Sequence, residues 1–436
     1  MASMDKKARK AVRMAMLALL IVPAACDTLS NPLEVEPASR IPAAQLERPE
    51  NAQLLSTGAI GDFECAFNSY TTIGGLIGEE FIYAQQTASR TPYDRRNTTK
   101  DDADYATNSC TGGGVYTPLQ TARQSNENVL ALLKSWTDAE VSAGAGSPNR
   151  TNLMAIAAAY AGYAYVLLGE GFCTMAISSV NIDKSLTYGG EIQRDSVFKL
   201  GIARFSEAIA FATAVNNTDI RTMAYLGRAR AKLNLGDYAG AKADAGQVPS
   251  GYVKVATASA TADNRANRVF AENSLTGLQF SVGEPYRSMG DARVPIVKAD
   301  RPPSATGIPH YYQTKYPTVS TPLPIATYEE AQLIIAEADI RANSLASALL
   351  IINASRNRGG QGAFVGVTQA DYLAELIDQR RRELFAESHH LGDILRYNIN
   401  VQPASGTPYH FGGTYSNQIC LPLPAAERLN NPLIGS

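Results

Sequence analysis

The stretch Ile377-Asp378-Gln379-Arg380-Arg381-Arg382-Glu383-Leu384-Phe385-Ala386-Glu387 runs directly into Ser388-His389-His390-Leu391-Gly392-Asp393-Ile394-Leu395-Arg396. Its pattern predicts a long helix from Asp371 to Glu387, with a polar tail beyond that closes on Cys420-Leu421-Pro422-Leu423-Pro424. Carboxylates and arginines this close can tune each other's pKa, as acid/base sites require. Here Arg380, Glu383, Glu387 and Arg396 recur at helical spacing or just past the helix end, where opposite charges fix helix packing, so the reading is structural. His389 and His390 are adjacent and point in different directions on regular structure. No His-Glu-x-x-His pattern accompanies them, and no metal site is expected.

Upstream, Ala331, Ile334, Ile335, Ala338 and Ala342 form one helical stripe and Leu345, Ala348, Leu349, Ile352 and Arg356 another, ending at Gly359-Gly360. Residues 250–325 hold many Pro, Gly, Ser, Thr and Tyr without sustained periodicity, and read as an irregular insert. Earlier still, apolar residues from Pro118 to Val141 and from Leu153 to Gly169 recur every three or four positions and predict a helical hairpin. A second pair follows, with Val197, Leu200, Phe205, Ala208 and Ile209 on one helix and Met223, Ala224, Gly227 and Ala231 on the next. Gly236-Asp237-Tyr238, followed by Ala241 and Ala245, resembles the turn and second helix of a tetratricopeptide repeat. The fold class expected is all-α, an array of tetratricopeptide-like helix pairs with an irregular loop-rich lobe.

The chain has 436 residues, 45% apolar and 18% charged, enough to bury a core. Five basic residues and one acid precede the apolar run Met14–Ala25, which is too short to span a bilayer and has signal-peptide proportions. Removing residues 1–25 takes the net charge from -2 to -6, which argues against nucleic acid as a partner. The run ends in Val22-Pro23-Ala24-Ala25-Cys26, suited to cleavage and lipid attachment at Cys26, although Pro23 stands where a lipobox usually has leucine. Residues 26–50, with Pro32, Pro37 and Pro42, read as a tether, and 51–436 as the body with its insert at about 250–325. Lipidation of Cys26 leaves Cys65, Cys110, Cys173 and Cys420, which in an oxidising compartment form at least one disulfide. Three connectivities are open.

The C-terminal third resembles the SusD/RagB family of nutrient-uptake outer membrane lipoproteins, whose acidic and arginine-rich helix ends in a glutamate before a segment with an aspartate and an arginine. Arg381, Glu383, Glu387, Asp393 and Arg396 carry that likeness. The hairpin from Tyr328 with Asn353, Arg356 and Arg358, and the ending Leu421-Pro422-Leu423-Pro424 with Glu427 and Asn430-Asn431-Pro432, are similar to further family motifs. This sequence departs from the pattern at Gln379, usually glutamate, Ser388, usually glycine, and His390, usually arginine. The resemblance implies a lipoprotein exposed on the cell outer membrane that caps a SusC-like TonB-dependent barrel, catching glycans or peptides and releasing them into the channel. It implies no catalysis and no cofactor.

Binding neutral sugars favours flat aromatics for stacking beside amides and hydroxyls for orientation. Tyrosine occurs 21 times against one tryptophan, so the loop tyrosines become the candidates. Tyr83, Tyr93, Tyr105 and Tyr116 lie in or beside the polar stretch Gln85–Gly114, and Tyr286, Tyr311, Tyr312 and Tyr316 lie in the insert. Gly112–Gly114 lack the lysine of a phosphate loop and read as a flexible link. An oligosaccharide is expected over a peptide. The alternatives are a surface adhesion or protein-interaction scaffold built on the same helices, and an extracellular hydrolase, for which no catalytic constellation is visible.

Overall fold

The computed structural model describes residues 43–85, 89–102, 104–107, 110–274, 278–300 and 307–435. The expected signal peptide, the lipidation residue Cys26 and most of the expected tether lie outside the described residues. The chain divides into two compact units, Met1–Arg48 and Pro49–Ser436. In the first, the described residues hold one helical turn, Ala43–Leu46. The second is the body.

The body begins with helix α1 (Ala52–Ile77), strand β1 (Phe81–Tyr83) and short helix α2 (Thr91–Arg95). Next come α3 (Tyr116–Ser135), α4 (Arg150–Gly171), α5 (Arg194–Ala214), α6 (Thr218–Asn234) and α7 (Tyr238–Ala245). From α3 onward each helix packs on the one after it, as a stack of helical hairpins requires. Asn149, Asn217 and Asp237 cap α4, α6 and α7, their side-chain oxygens accepting from backbone N–H groups. Nearly every residue of α4 from Leu153 onward is buried, which explains why it is apolar on all sides. It is long and apolar enough to cross a membrane, yet its surface is spent on its neighbours. The Phe205 ring wedges against Gly162 of α4 and Gly227 of α6, and a Cβ at either position would sit within 3.0 Å of that ring.

The expected irregular insert holds short elements. Strand β2 (Val253–Ala256) pairs with β6 (Leu323–Thr327), β3 (Phe280–Val282) pairs with β1, and β4 (Ile296–Lys298) pairs with β5 (Tyr311–Gln313), all antiparallel. Between β3 and β4 lies the single turn α8 (Glu284–Arg287). The array then resumes with α9 (Tyr328–Arg341), α10 (Leu345–Arg358) and α11 (Gln369–Glu383), which share a core of Leu333, Ile340, Ile352 and Leu376. Helix α12 (His390–Tyr397) and a final turn, α13 (Ala425–Asn430), complete the chain. The architecture is mostly helical, tetratricopeptide-like pairs with small sheets, as the periodicity implied.

Two boundaries differ from the sequence reading. The helix expected to reach Val141 stops at Ser135, and a separate turn starts at Thr137, whose capping box with Glu140 opens Asp138–Ser142. The helix expected to reach Glu387 stops at Glu383. Carbonyl groups beyond that point turn aside to other partners: Phe385 O accepts from Lys315 Nζ at 2.9 Å, Ala386 O from the Tyr316 hydroxyl at 3.2 Å and Ser388 O from Arg230 at 2.8 Å. The backbone there is left-handed, with φ 56° at Ala386 and 65° at Ser388.

Ser388 thus occupies a conformation that glycine adopts freely, and its hydroxyl is buried without a hydrogen-bond partner among the described residues. Ser388→Gly is expected to stabilise the body by about 0.5–1 kcal/mol, read as an upward shift of the urea midpoint. A lower midpoint would show that the serine Cβ is not strained.

At least one disulfide is expected from the sequence with its pairing open, and two form. Cys65 of α1 joins Cys110, and Cys173, just beyond α4, joins Cys420, with Cα–Cα separations of 5.7 and 5.2 Å.

Candidate functional site

A cavity of about 450 Å³ opens where three segments converge: the end of α1 with β1 and α2, the β3–α8 corner, and the C-terminal loop from Gln402 to Tyr415. Its floor is apolar, from Leu76, Phe81 and Ile82, while Glu79, Asp94, Arg96, Glu284, Arg287, Gln402 and Thr407 supply polar groups. A small number of placed polar groups over an apolar base is the usual composition of a ligand site.

The β1–β3 ladder, with Ile82 opposite Ser281, brings the first two segments together. Gly283 then turns the chain into α8, its N–H bonded to Glu80 O at 2.8 Å. A Cβ at this position would lie 1.9 Å from Glu79 O, so only glycine permits the approach. The third segment is gripped by arginines. Arg96, itself left-handed at φ 56°, donates to the carbonyls of Ser416 at 3.1 Å and Gln402 at 3.3 Å and also to that of Pro403. Arg95 donates to Thr414 O at 2.9 Å. The Arg96 guanidinium lies 4.9 Å from the Tyr415 ring centre, and that of Arg287 lies 4.6 Å from the ring of Tyr311.

Asp94 is buried behind this wall, accepting from Tyr83 N at 2.9 Å and from the Tyr409 hydroxyl at 3.0 Å. Burial pushes its carboxyl up to about 7, against the two hydrogen bonds and the charge of Arg96. The folded protein therefore binds this proton more tightly than the unfolded chain does, and the Asp94 contribution to stability is lost as pH rises from about 4 through about 7. Asp94→Asn mimics the protonated form. It is expected to be more stable than the parent at pH 8 by up to about 4 kcal/mol, with the difference vanishing near pH 4, in urea titrations at the two pH values. A difference that does not change with pH would refute the assignment.

None of the eight tyrosines singled out in the sequence lines this cavity. Tyr83, Tyr93, Tyr105, Tyr116, Tyr286 and Tyr316 are all at most 4% exposed. Several spend their hydroxyls inside, Tyr93 on Gly113 O at 2.8 Å and Tyr116 on Glu427 at 3.0 Å. In this conformation those six rings are packed inside the body over most of their surface. Tyr311 and Tyr312 are half-buried; Tyr311 backs Arg287, and Tyr312 shares a hollow of about 290 Å³ with Tyr316 and Phe270. Tyr116 borders a further groove of about 360 Å³ beside Gln120, Gln124 and Ser179. Gly112–Gly114 do not act as a loose link throughout, since Gly113 O and Gly114 O accept from Tyr93 and Ser69. The reading of the sequence missed Arg96, Arg287, Gln402, Thr407 and Tyr415. Its one available signal was the turn-rich run from Pro403 to Tyr415, with two tyrosines among glycines and prolines.

The arginine-rich motif forms a buried ionic framework beneath the site. Arg381 reaches Glu79 at 3.1 Å, Glu383 receives Arg293 at 2.9 Å and Arg358 at 3.0 Å, and Glu387 receives Lys315 at 2.6 Å. Asp393 lies between Arg380 at 2.8 Å and Arg396 at 2.9 Å, and Arg396 continues to Glu337 at 2.5 Å. Burial opposes the ionisation of Asp393, but the two guanidinium groups overcome it and hold the carboxyl below the usual range. Among the departures from the family pattern, the Gln379 amide donates to Gln361 and Glu375, and His390 is buried 3.6 Å from Glu79. Among the described residues, no three His, Cys, Asp or Glu side chains cluster as metal ligands would.

Fold and site together define a helical, tetratricopeptide-like body with a loop-walled cavity on a charged framework. Its relatives agree: residues 312–422 match the model of the SusD family, so the likeness read from the C-terminal motifs holds. The same fold occurs in a SusD superfamily protein from Bacteroides vulgatus (13% identity, TM-score 0.66, covering 88% of this chain and 98% of that one). It occurs again in one from Parabacteroides distasonis (14%, 0.65, 88% and 98%). A SusD-like carbohydrate binding protein from Bacteroides vulgatus is similar as well (13%, 0.65, 89% and 97%). No curated protein matches this chain in sequence.

Proposed function

We propose that this chain is a nutrient-binding lipoprotein of the outer membrane surface, which captures an oligosaccharide in the 450 Å³ cavity and delivers it to a TonB-dependent barrel. The observation that carries the reading is the convergence of three separate chain segments into one polar-rimmed cavity on a SusD-type scaffold. Carbohydrate binding in a solved protein of the same fold supports it. The site binds without turning over its ligand: two of its three carboxylates are engaged in holding the walls, Glu79 by Arg381 and the Gln402 N–H and Asp94 by Tyr83 and Tyr409, which leaves Glu284 at the rim without a second carboxylate to work beside it. In this proposal residues 1–25 are a signal peptide, 26–50 a tether anchored by lipid at Cys26, and 51–436 the binding body. The two disulfides use the other four cysteines and leave Cys26 for the lipid.

The test is affinity purification of the tagged full-length protein from detergent-solubilised outer membranes of its own host, with mass identification of what remains bound. Near-equal recovery of a large TonB-dependent barrel is the expected result. Reproducible absence of a barrel from folded, lipidated protein would favour the adhesive scaffold instead.

A further inference from the structure

The cavity is lined by two arginines that form no salt bridge among the described residues. Most arginines of the described body, including Arg90, Arg204, Arg228, Arg265, Arg293, Arg356 and Arg396, lie at salt-bridge distance from a carboxylate. Arg96 and Arg287 do not, and both line the same cavity. Arg96 is almost fully buried and spends its donors on backbone carbonyls. Arg287 is half-buried, giving Nε to Val282 O at 2.7 Å and Nη2 to the Ser281 hydroxyl at 3.4 Å, while Nη1 has no hydrogen-bond partner among the described residues. Burial lowers the basicity of both groups, as expected of desolvated cations without an ion-pair partner. The carboxylates nearby, Asp94 and Glu79 for Arg96 and Glu284 for Arg287, offset that burial only in part. Glu79 is claimed by Arg381, Asp94 is buried and held by Tyr83 and Tyr409, and Glu284 is exposed at the rim.

Closing a neutral ligand over such a pair would repay its desolvation only with hydrogen bonds to hydroxyl oxygens, whereas a carboxylate would give a stronger, charge-assisted pairing to a planar guanidinium fork already oriented by the Tyr311 ring. We infer that the cavity takes an acidic oligosaccharide, one bearing hexuronate carboxylates, with Arg287 as the anchor and Arg96 as the second positive charge. This inference rests on the reading of the cavity as a glycan site. Hydroxyl and amide groups of Thr407 and Gln402 at the exposed rim suit the rest of the sugar.

The experiment is calorimetric titration of the mature protein with hexasaccharides of galacturonate, guluronate and glucuronate-bearing xylan, each beside its carboxyl-reduced counterpart, with maltohexaose as a neutral reference. At least one acidic hexasaccharide is expected to bind about ten-fold or more tightly than its reduced form, the return from a charge-assisted hydrogen bond. Arg287→Gln should erase that difference. Arg287→Lys, which keeps the charge but loses the fork, should retain part of it, and melting curves confirm that both variants fold. Equal binding of acidic and reduced forms, or preference for a neutral one, would overturn the inference and leave the glycan reading intact. Failure of every glycan, with acidic or neutral peptides binding instead, would overturn both.

Discussion

Replacing Arg230 with methionine is expected to destabilise the body by about 3–5 kcal/mol, the cost of leaving a buried carboxylate alone. Arg230 on α6 is buried to 4% exposure and clasps Glu170 of α4 through two bonds, at 2.9 and 2.6 Å. It also donates to Ser388 O at 2.8 Å and meets His389 Nε2 at 2.9 Å, so one side chain joins two helices of the N-terminal array to the segment between α11 and α12. Glu170 would keep only Asn234, at 2.7 Å, as a neutral partner. Urea unfolding followed by circular dichroism measures the loss. The double variant Arg230→Met, Glu170→Leu should recover much of it, because an apolar pair of similar volume has no charge to strand. If the single variant loses less than about 1 kcal/mol, the clasp does not hold the two halves together.

A comparable loss, about 3–5 kcal/mol, is expected on replacing both Cys173 and Cys420 with alanine. The bridge spans 247 residues, so its removal releases a very long loop in the unfolded chain, and the entropic benefit grows with loop length. In the folded state Cys173 N donates to Leu421 O at 2.9 Å and Leu421 N to Gly171 O at 2.8 Å, so the bridge reinforces a local backbone pairing at the end of α4. That pairing fixes one end of the loop that walls the cavity. The variant should therefore also be cut faster by protease between residues 400 and 420, with the remainder of the body resistant until it unfolds. Parental cleavage kinetics and an unchanged urea midpoint would mean that the backbone pairing suffices.

How much was legible follows from what each signal encodes. The helix pairs were read from apolar spacing, because α4, α5 and α6 bury whole faces and their sequences show it. The turn at Gly236-Asp237-Tyr238 was read from its residue types, and Asp237 does cap α7. The end of α11 was not legible, since Leu384, Phe385 and Ala386 continue a helical pattern that only partners distant in sequence, Lys315, Tyr316 and Arg230, interrupt. The lining of the 450 Å³ cavity was not legible for a similar reason. Tyrosine frequency marked loops but not which ring faces point outward, and six of the eight chosen rings proved to be anchors of those loops. Arg96 and Arg287 became notable only when the carboxylates around them could be counted in space.

The manner in which the cavity wall is held has an evolutionary consequence. Arg95 and Arg96 take hold of carbonyl oxygens at Gln402, Pro403, Thr414 and Ser416, and every residue type supplies a carbonyl. Apart from Tyr409 and Tyr415, whose side chains meet Asp94 and Arg96, residues along that segment can thus be exchanged without releasing it from the scaffold. Substitution can therefore rewrite the chemistry of the rim, one surface residue at a time, while the frame that presents it stays untouched.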